Sequence, residues 1–193
     1  GGQTAHTWDF FSLCMCNEHH VYALDQRGHG DSEWSPGMDY SEAAHQRDIE
    51  GFVDALKLDK FVLIGLSMGG NNAYTYAAKH WDRLAGLVIV DVGPEVVQAG
   101  TRRIGDCTKA AAEKDTVEDY VKEAAAFNPL RPREMLRRSL LHSLRQLPNG
   151  KWTWKADRRR ATAGRGKAQK RSPEEIKKES EKKWGYIKSI RCP

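Results

Sequence analysis

Apolar residues along this chain form short uninterrupted runs in its first half and helical stripes in its second. Val21-Tyr22-Ala23-Leu24 is closed by Asp25 and followed by the turn-rich Gln26-Arg27-Gly28-His29-Gly30, which predicts a buried strand entering a loop. After Ser41, a residue suited to capping free helix amides, Ile49, Phe52, Val53 and Leu56 recur at i, i+3, i+4 and i+7, the single face of an amphipathic helix. Phe61-Val62-Leu63-Ile64 is too short for a helix and has no polar alternation, so it predicts a strand covered on both faces, as in parallel sheets. Asn72 to His80 is alanine-rich and helical in character, and Gly86-Leu87-Val88-Ile89-Val90 predicts a third strand. Strands alternating with helices predict an α/β fold with a doubly wound, mostly parallel sheet and right-handed crossovers.

Beyond Asp91-Val92-Gly93-Pro94 the pattern changes to helices without intervening strands, which places a boundary near residue 95. Thr116 with Asp119 offers a capping-box start for a helix with Val117, Tyr120, Val121 and Ala124 on one face. Pro132 opens a helix striped by Leu136, Leu140, Leu144 and Leu147, and Pro148-Asn149-Gly150 is a turn before the alternating Trp152 and Trp154. Ser172-Pro173-Glu174-Glu175 starts a last helix carrying Ile176, Trp184 and Ile187. Between them, residues 157–171 are basic and almost free of apolar residues, which predicts a loop.

A length of 193 residues, 39% hydrophobic and 30% charged, fits one globular domain and excludes a collagen-like or wholly disordered chain. No apolar run reaches the roughly 18–20 residues that a membrane-spanning helix needs. The mild net charge of +5 conceals an asymmetry: residues 1–100 hold 6 Lys+Arg against 14 Asp+Glu (net −8), and residues 101–193 hold 25 against 12 (net +13). The basic half raises an anionic partner as a question. The four cysteines, Cys14, Cys16, Cys107 and Cys192, match neither a disulfide framework nor paired zinc ligands, so a reducing cytoplasm is expected and no metal. The sequence opens Gly1-Gly2-Gln3-Thr4, with no basic and apolar stretch of a signal peptide.

The chemistry lies in Gly65-Leu66-Ser67-Met68-Gly69, a G-x-S-x-G sequence that directly follows one predicted strand and directly precedes a predicted helix. That context is what a nucleophile elbow needs: glycines at a tight turn, a strained serine lifted above the sheet edge, and free amides at a helix start. The Met68 N–H is placed to stabilise an oxyanion there. The blander alternative is a serine that only caps the helix.

With these residues the chain resembles the α/β-hydrolase superfamily, in the branch of serine esterases, enol-lactonases and carbon-carbon bond hydrolases. Gly1-Gly2-Gln3-Thr4 with Trp8 is similar to the end of the loop supplying the second oxyanion N–H, which implies that role for Gly1 and Gly2. Asp25-Gln26-Arg27-Gly28-His29-Gly30-Asp31-Ser32 is similar to the loop before the first long helix, and Asp91-Val92-Gly93-Pro94 to the end of the strand after the nucleophile helix. The resemblance implies a core over 1–95, a helical cap or lid over 96–188 containing the basic loop 157–171, and the start of the next core strand at 189–193. It also implies acyl transfer to water from a small ester, lactone or related carbonyl substrate, with Ser67 as nucleophile and no cofactor. A serine at the elbow, where other branches carry aspartate, argues against epoxide hydrolases and haloalkane dehalogenases.

Such a serine needs a histidine base oriented by a carboxylate, in the chain order Ser, Asp or Glu, His. Of the seven histidines only His142 lies well beyond the elbow, on a leucine-striped helix where an exposed or locally bonded residue is expected. Asp91 is an alternative acid, against the simpler role of a strand-end turn residue. A fragment is therefore expected, its acid and base outside Gly1–Pro193 and its catalysis weak. Two other classes stay open: a non-catalytic relative that keeps Ser67, and a nucleic-acid-binding module using Arg158-Arg159-Arg160, Arg165, Lys167 and Lys170-Arg171. Against the latter, Lys177, Lys178, Lys182 and Lys183 interleave with Glu174, Glu175, Glu179 and Glu181 as an ordinary solvated helix face. Oligomeric state is not readable from the sequence.

Overall fold

The computed structural model of the protein describes residues 2–95, 113–159 and 172–193. These form two compact units, one from residues 39–95 and 172–193, the other from residues 2–38 and 113–159.

The first unit is built on a strand-helix-strand repeat. Helix α2 (Glu42–Ala55) starts where the Ser41 side chain accepts the Ala44 N–H at 3.2 Å. Strand β1 (Phe61–Leu66), helix α3 (Met68–His80) and strand β2 (Leu84–Val90) follow, and β1 pairs parallel with β2 in the register Leu63↔Leu87, Gly65↔Ile89, Leu66↔Val90. Helix α3 packs on both strands and α2 packs on α3, with Gln46 Nε2 donating to the buried Asn72 carbonyl at 3.0 Å. The core gathers Val53, Tyr76, Ala77 and Leu84, flanked by Phe61, Leu63, Leu87, Ile190 and Cys192. The last helix, α6 (Pro173–Ser189), opens on a full capping box of Ser172 and Glu175, and the tail after it runs beside β2, where the Leu87 N–H donates to the Pro193 carbonyl at 2.8 Å. Phe61–Ile64 was expected to be covered on both faces. The structure differs: Val62, Val88 and Val90 are exposed, because among the described residues helices cover only the opposite side.

The second unit contains a 3-10 turn (Ala5–Trp8), helix α1 (Asp9–Met15), helices α4 (Val117–Phe127) and α5 (Arg133–Ser143), and an antiparallel hairpin of β3 (Leu144–Gln146) and β4 (Trp152–Trp154). Thr116 and Asp119 close the anticipated capping box at the start of α4. Val117, Tyr120, Val121, Leu140 and Leu144 form the core, with Trp152 and Trp154 packed against it.

Three features of this unit depart from the sequence reading. The stripe Leu136, Leu140, Leu144, Leu147 does not stay on one helix: α5 ends at Ser143 and Leu144 turns extended, its N–H still bonded to Leu140. Pro148 biases the residue before it away from helix, and Leu147 closes the hairpin with Gly150 and Lys151 instead. Val21–Leu24 belongs to none of the described strands, since a strand exists only through a ladder and composition alone does not supply one; Tyr22 and Leu24 are exposed. Residues 5–15 are helical where the sequence assigns no element, because Phe10, Phe11 and Leu13 carry no buried stripe to betray the helix.

Candidate active site

Ser67 stands at the junction of β1 and α3 with φ 53° and ψ −114°. Positive φ is unfavourable for a residue with a Cβ, and a non-glycine held this way stores roughly 1–3 kcal/mol. Two bonds hold it: the Ser67 N–H donates to the Val90 carbonyl at 2.8 Å, and the Ser67 carbonyl accepts the Asn71 N–H at 3.0 Å. The Ser67 side chain makes no capping hydrogen bond. Its strain is therefore not repaid by a helix cap.

The surrounding glycines are a steric requirement. A Cβ on Gly65 would lie 2.6 Å from Gly70 Cα, and one on Gly70 would lie 2.6 Å from Val92 Cγ1 and 2.9 Å from the Gly65 carbonyl. Gly70 closes the stretch Gly65–Gly70 that resembles the elbow. Met68 is the first residue of the 13-residue α3, so its N–H has no acceptor inside the helix and lies at the positive end of the helix dipole. Deeper in α3, the Tyr74 hydroxyl donates to Asn71 Oδ1, and burial first, then Glu42, pushes the phenol up to about 12.

Asp91 directly follows β2, is exposed and also has positive φ, 56°. The bond from Ser67 to Val90 thus puts the backbones of Ser67 and Asp91 at the same end of the two-stranded sheet. Gly1 lies outside the described residues. Gly2 belongs to the second unit, with φ 84°.

The Asp25–Ser32 loop is built for structure. The Asp25 carboxylate accepts the Ala5 N–H at 2.6 Å and the Asp31 N–H at 3.0 Å, while its carbonyl accepts the Ser32 hydroxyl at 2.6 Å. Gly28 and Gly30 take positive φ, and a Cβ on Gly30 would collide with the Asp25 carboxylate. His29 is buried, with Nδ1 3.1 Å from the Arg27 carbonyl.

The remaining histidines are spread. His80 Nε2 lies 3.0 Å from Glu50 Oε1, and His45 is buried on α2. His142, expected to be exposed or locally bonded, is partly buried in the last turn of α5 and stacks on His6 at 3.7 Å, which sequence distance hid. Burial, then the neighbouring His6, lowers its pKa.

Of the basic run, residues 160–171 lie outside the described residues, as do residues 96–112 of the expected cap, with Cys107 among them. Arg158 stacks over Trp154 at 4.3 Å, and Arg159 pairs with the fully buried Asp157 side chain at 2.7 Å. No helix among the described residues is long and apolar enough to cross a membrane.

A family model for the alpha/beta hydrolase fold matches residues 8–185. The chain is 30% identical over 163 residues to the esterase Rv0045c of Mycobacterium tuberculosis, a match covering 81% of this chain and 54% of that protein. A crystal structure of the same esterase superposes with a TM-score of 0.68 over 82% of this chain and 56% of that one. The N-formylmaleamate deformylase of Pseudomonas putida is 40% identical over 96 residues, 50% of this chain and 35% of that enzyme. An alpha/beta hydrolase from Novosphingobium aromaticivorans is similar in fold alone, with a TM-score of 0.79 at 20% identity, covering 98% of this chain and 66% of that one. The chain spans about half or less of the length of these curated relatives.

Proposed function

The chain belongs to the α/β-hydrolase fold family, and from that premise we propose that it carries the nucleophile of a serine hydrolase. Ser67 Oγ attacks the carbonyl carbon of a small ester, lactone or related substrate, and the acyl group passes from it to water. The Met68 N–H stabilises the oxyanion, and a histidine base oriented by a carboxylate takes the serine proton. Asp91 is the alternative acid within this chain, on its position beyond β2. The supporting relatives are an esterase and a deformylase, which favours a small-molecule carbonyl substrate. Cys14, Cys16 and Cys192 are free thiols, in keeping with a reducing, cytoplasmic location.

One observation carries the reading: the backbone of Ser67 is strained at a strand-helix junction while its side chain forms no cap, the state expected of a residue positioned to react. The test is covalent labelling with a fluorophosphonate and turnover of p-nitrophenyl acetate. The expected result is one adduct, mapped to Ser67 and lost in Ser67→Ala. A folded wild-type chain that takes no label, even with imidazole added as an external base, makes this a non-catalytic relative. Labelling that persists in Ser67→Ala places the nucleophile elsewhere.

A further inference from the structure

His6, Asp9 and His142 come from three elements of the second unit: the 3-10 turn Ala5–Trp8, the first residue of α1 and the last turn of α5. One ligand atom from each, a ring nitrogen of both histidines and a carboxylate oxygen of Asp9, all lie within 4.8 Å of one another. The imidazoles stack at 3.7 Å with an interplanar angle of 18°, and His6 Nδ1 lies 3.1 Å from Asp9 Oδ1. We propose that this triad binds a divalent transition-metal ion of the zinc class.

The donor chemistry suits that ion, since imidazole and carboxylate are its ordinary nitrogen and oxygen ligands, at about 2.0–2.2 Å. Donors around a tetrahedral ion at those distances stand about 3.4 Å apart. Binding requires the stacked rings to rotate so that their in-plane lone pairs converge on the ion and the donors draw together, and that rotation is open to them because His6 is exposed and Asp9 and His142 are only partly buried. Three protein ligands leave a fourth position for water.

Arg138 opposes the ion. Its Nη2 lies 3.4 Å from Asp9 Oδ2, and its guanidinium also covers the Phe10 ring at 4.6 Å, so metal and arginine compete for one carboxylate. Linear spacing could not reveal the site, because Asp9 and His142 stand 133 positions apart in the chain. The nearest sulfur ligands by sequence, Cys14 and Cys16, are exposed thiols on and just after α1 and are the rival site. The proposal does not depend on Ser67.

The experiment is calorimetric titration of the full chain with Zn²⁺, paired with the absorption spectrum of its Co²⁺ complex. Wild type is expected to bind one ion, with a Co²⁺ spectrum lacking the intense near-ultraviolet band of a thiolate ligand. His6→Ala and His142→Ala are each expected to weaken Zn²⁺ binding about tenfold or more, and Arg138→Gln to tighten it. The Cys14→Ser, Cys16→Ser double variant should leave affinity and spectrum unchanged. Metal-free circular dichroism and thermal midpoints verify that each variant folds, and His6 and His142 lie on different elements, so one failure to fold leaves the other test intact. A folded wild type that binds no ion, binding that survives in a folded histidine variant, or binding lost with the cysteines overturns the proposal.

Discussion

Ser67 combines an unfavourable backbone conformation with a side chain that gives nothing back as a cap. Ser67→Ala and Ser67→Gly should both lose fluorophosphonate labelling, but only glycine relieves the positive φ. The glycine variant is therefore expected to be the more stable by about 1 kcal/mol, the strain released less the greater chain entropy of glycine. Urea unfolding of the two variants measures it, and an alanine variant of equal or greater stability would show that the turn is unstrained. The motif itself was legible because its physics is local: glycine, serine and glycine at fixed spacing between a strand and a helix. What could not be read was which neighbour crowds which glycine. The tightest constraint on Gly70 comes from Val92, two residues beyond the end of β2, and no pentapeptide pattern contains it.

At the scale of elements, the helices that announce themselves are those that carry their own start signals. Thr116 and Ser172 each close a capping box with an acid three residues on, and both helices begin where the sequence places them. Asp119 also makes one of these starts sensitive to acid. The Thr116 hydroxyl, and then its backbone N–H, hold the Asp119 carboxyl below its ordinary range, so folding favours the charged form. Its contribution to stability is complete above the ordinary carboxylate range and is lost as pH falls through the lowered folded value. Asp119→Asn should flatten the acid limb of the stability curve, measured by unfolding between about pH 5 and 2. An unchanged limb would show that the box does not couple to folding. Elements that depend on distant pairing were less legible. Val21–Leu24 has strand composition without a ladder, and the hairpin after α5 was hidden because Leu144 fits the helical stripe from Leu140 while being buried as the first residue of β3.

For the molecule as a whole, several described cations of the basic second half already have partners of their own. Lys177 and Lys183 pair with Glu181 and Glu179, Lys182 with Glu42, Arg159 with Asp157, and Arg158 lies on Trp154. Cations committed in this way release few counterions on meeting phosphate, so retention on immobilised DNA is expected to vanish between about 50 and 200 mM salt, with a shallow slope. A steep log-log dependence with retention at the upper end would point to a real nucleic-acid surface. The family was legible from the first 95 residues, where its motifs lie. The partition into two compact units was not, because each unit joins stretches far apart in the chain.

The two cores differ in the stretch of chain that each must gather. That of the second unit lies wholly within Val117 to Trp154, as two helices, the first of them capped, and a hairpin in succession. That of the first reaches from Ile49 to Cys192. Contacts close in sequence need only short loop closures, and distant ones must wait for long ones. The difference is therefore one of time: the helix-hairpin core can condense early, while the core beneath Ser67 waits for Ile190 and Cys192.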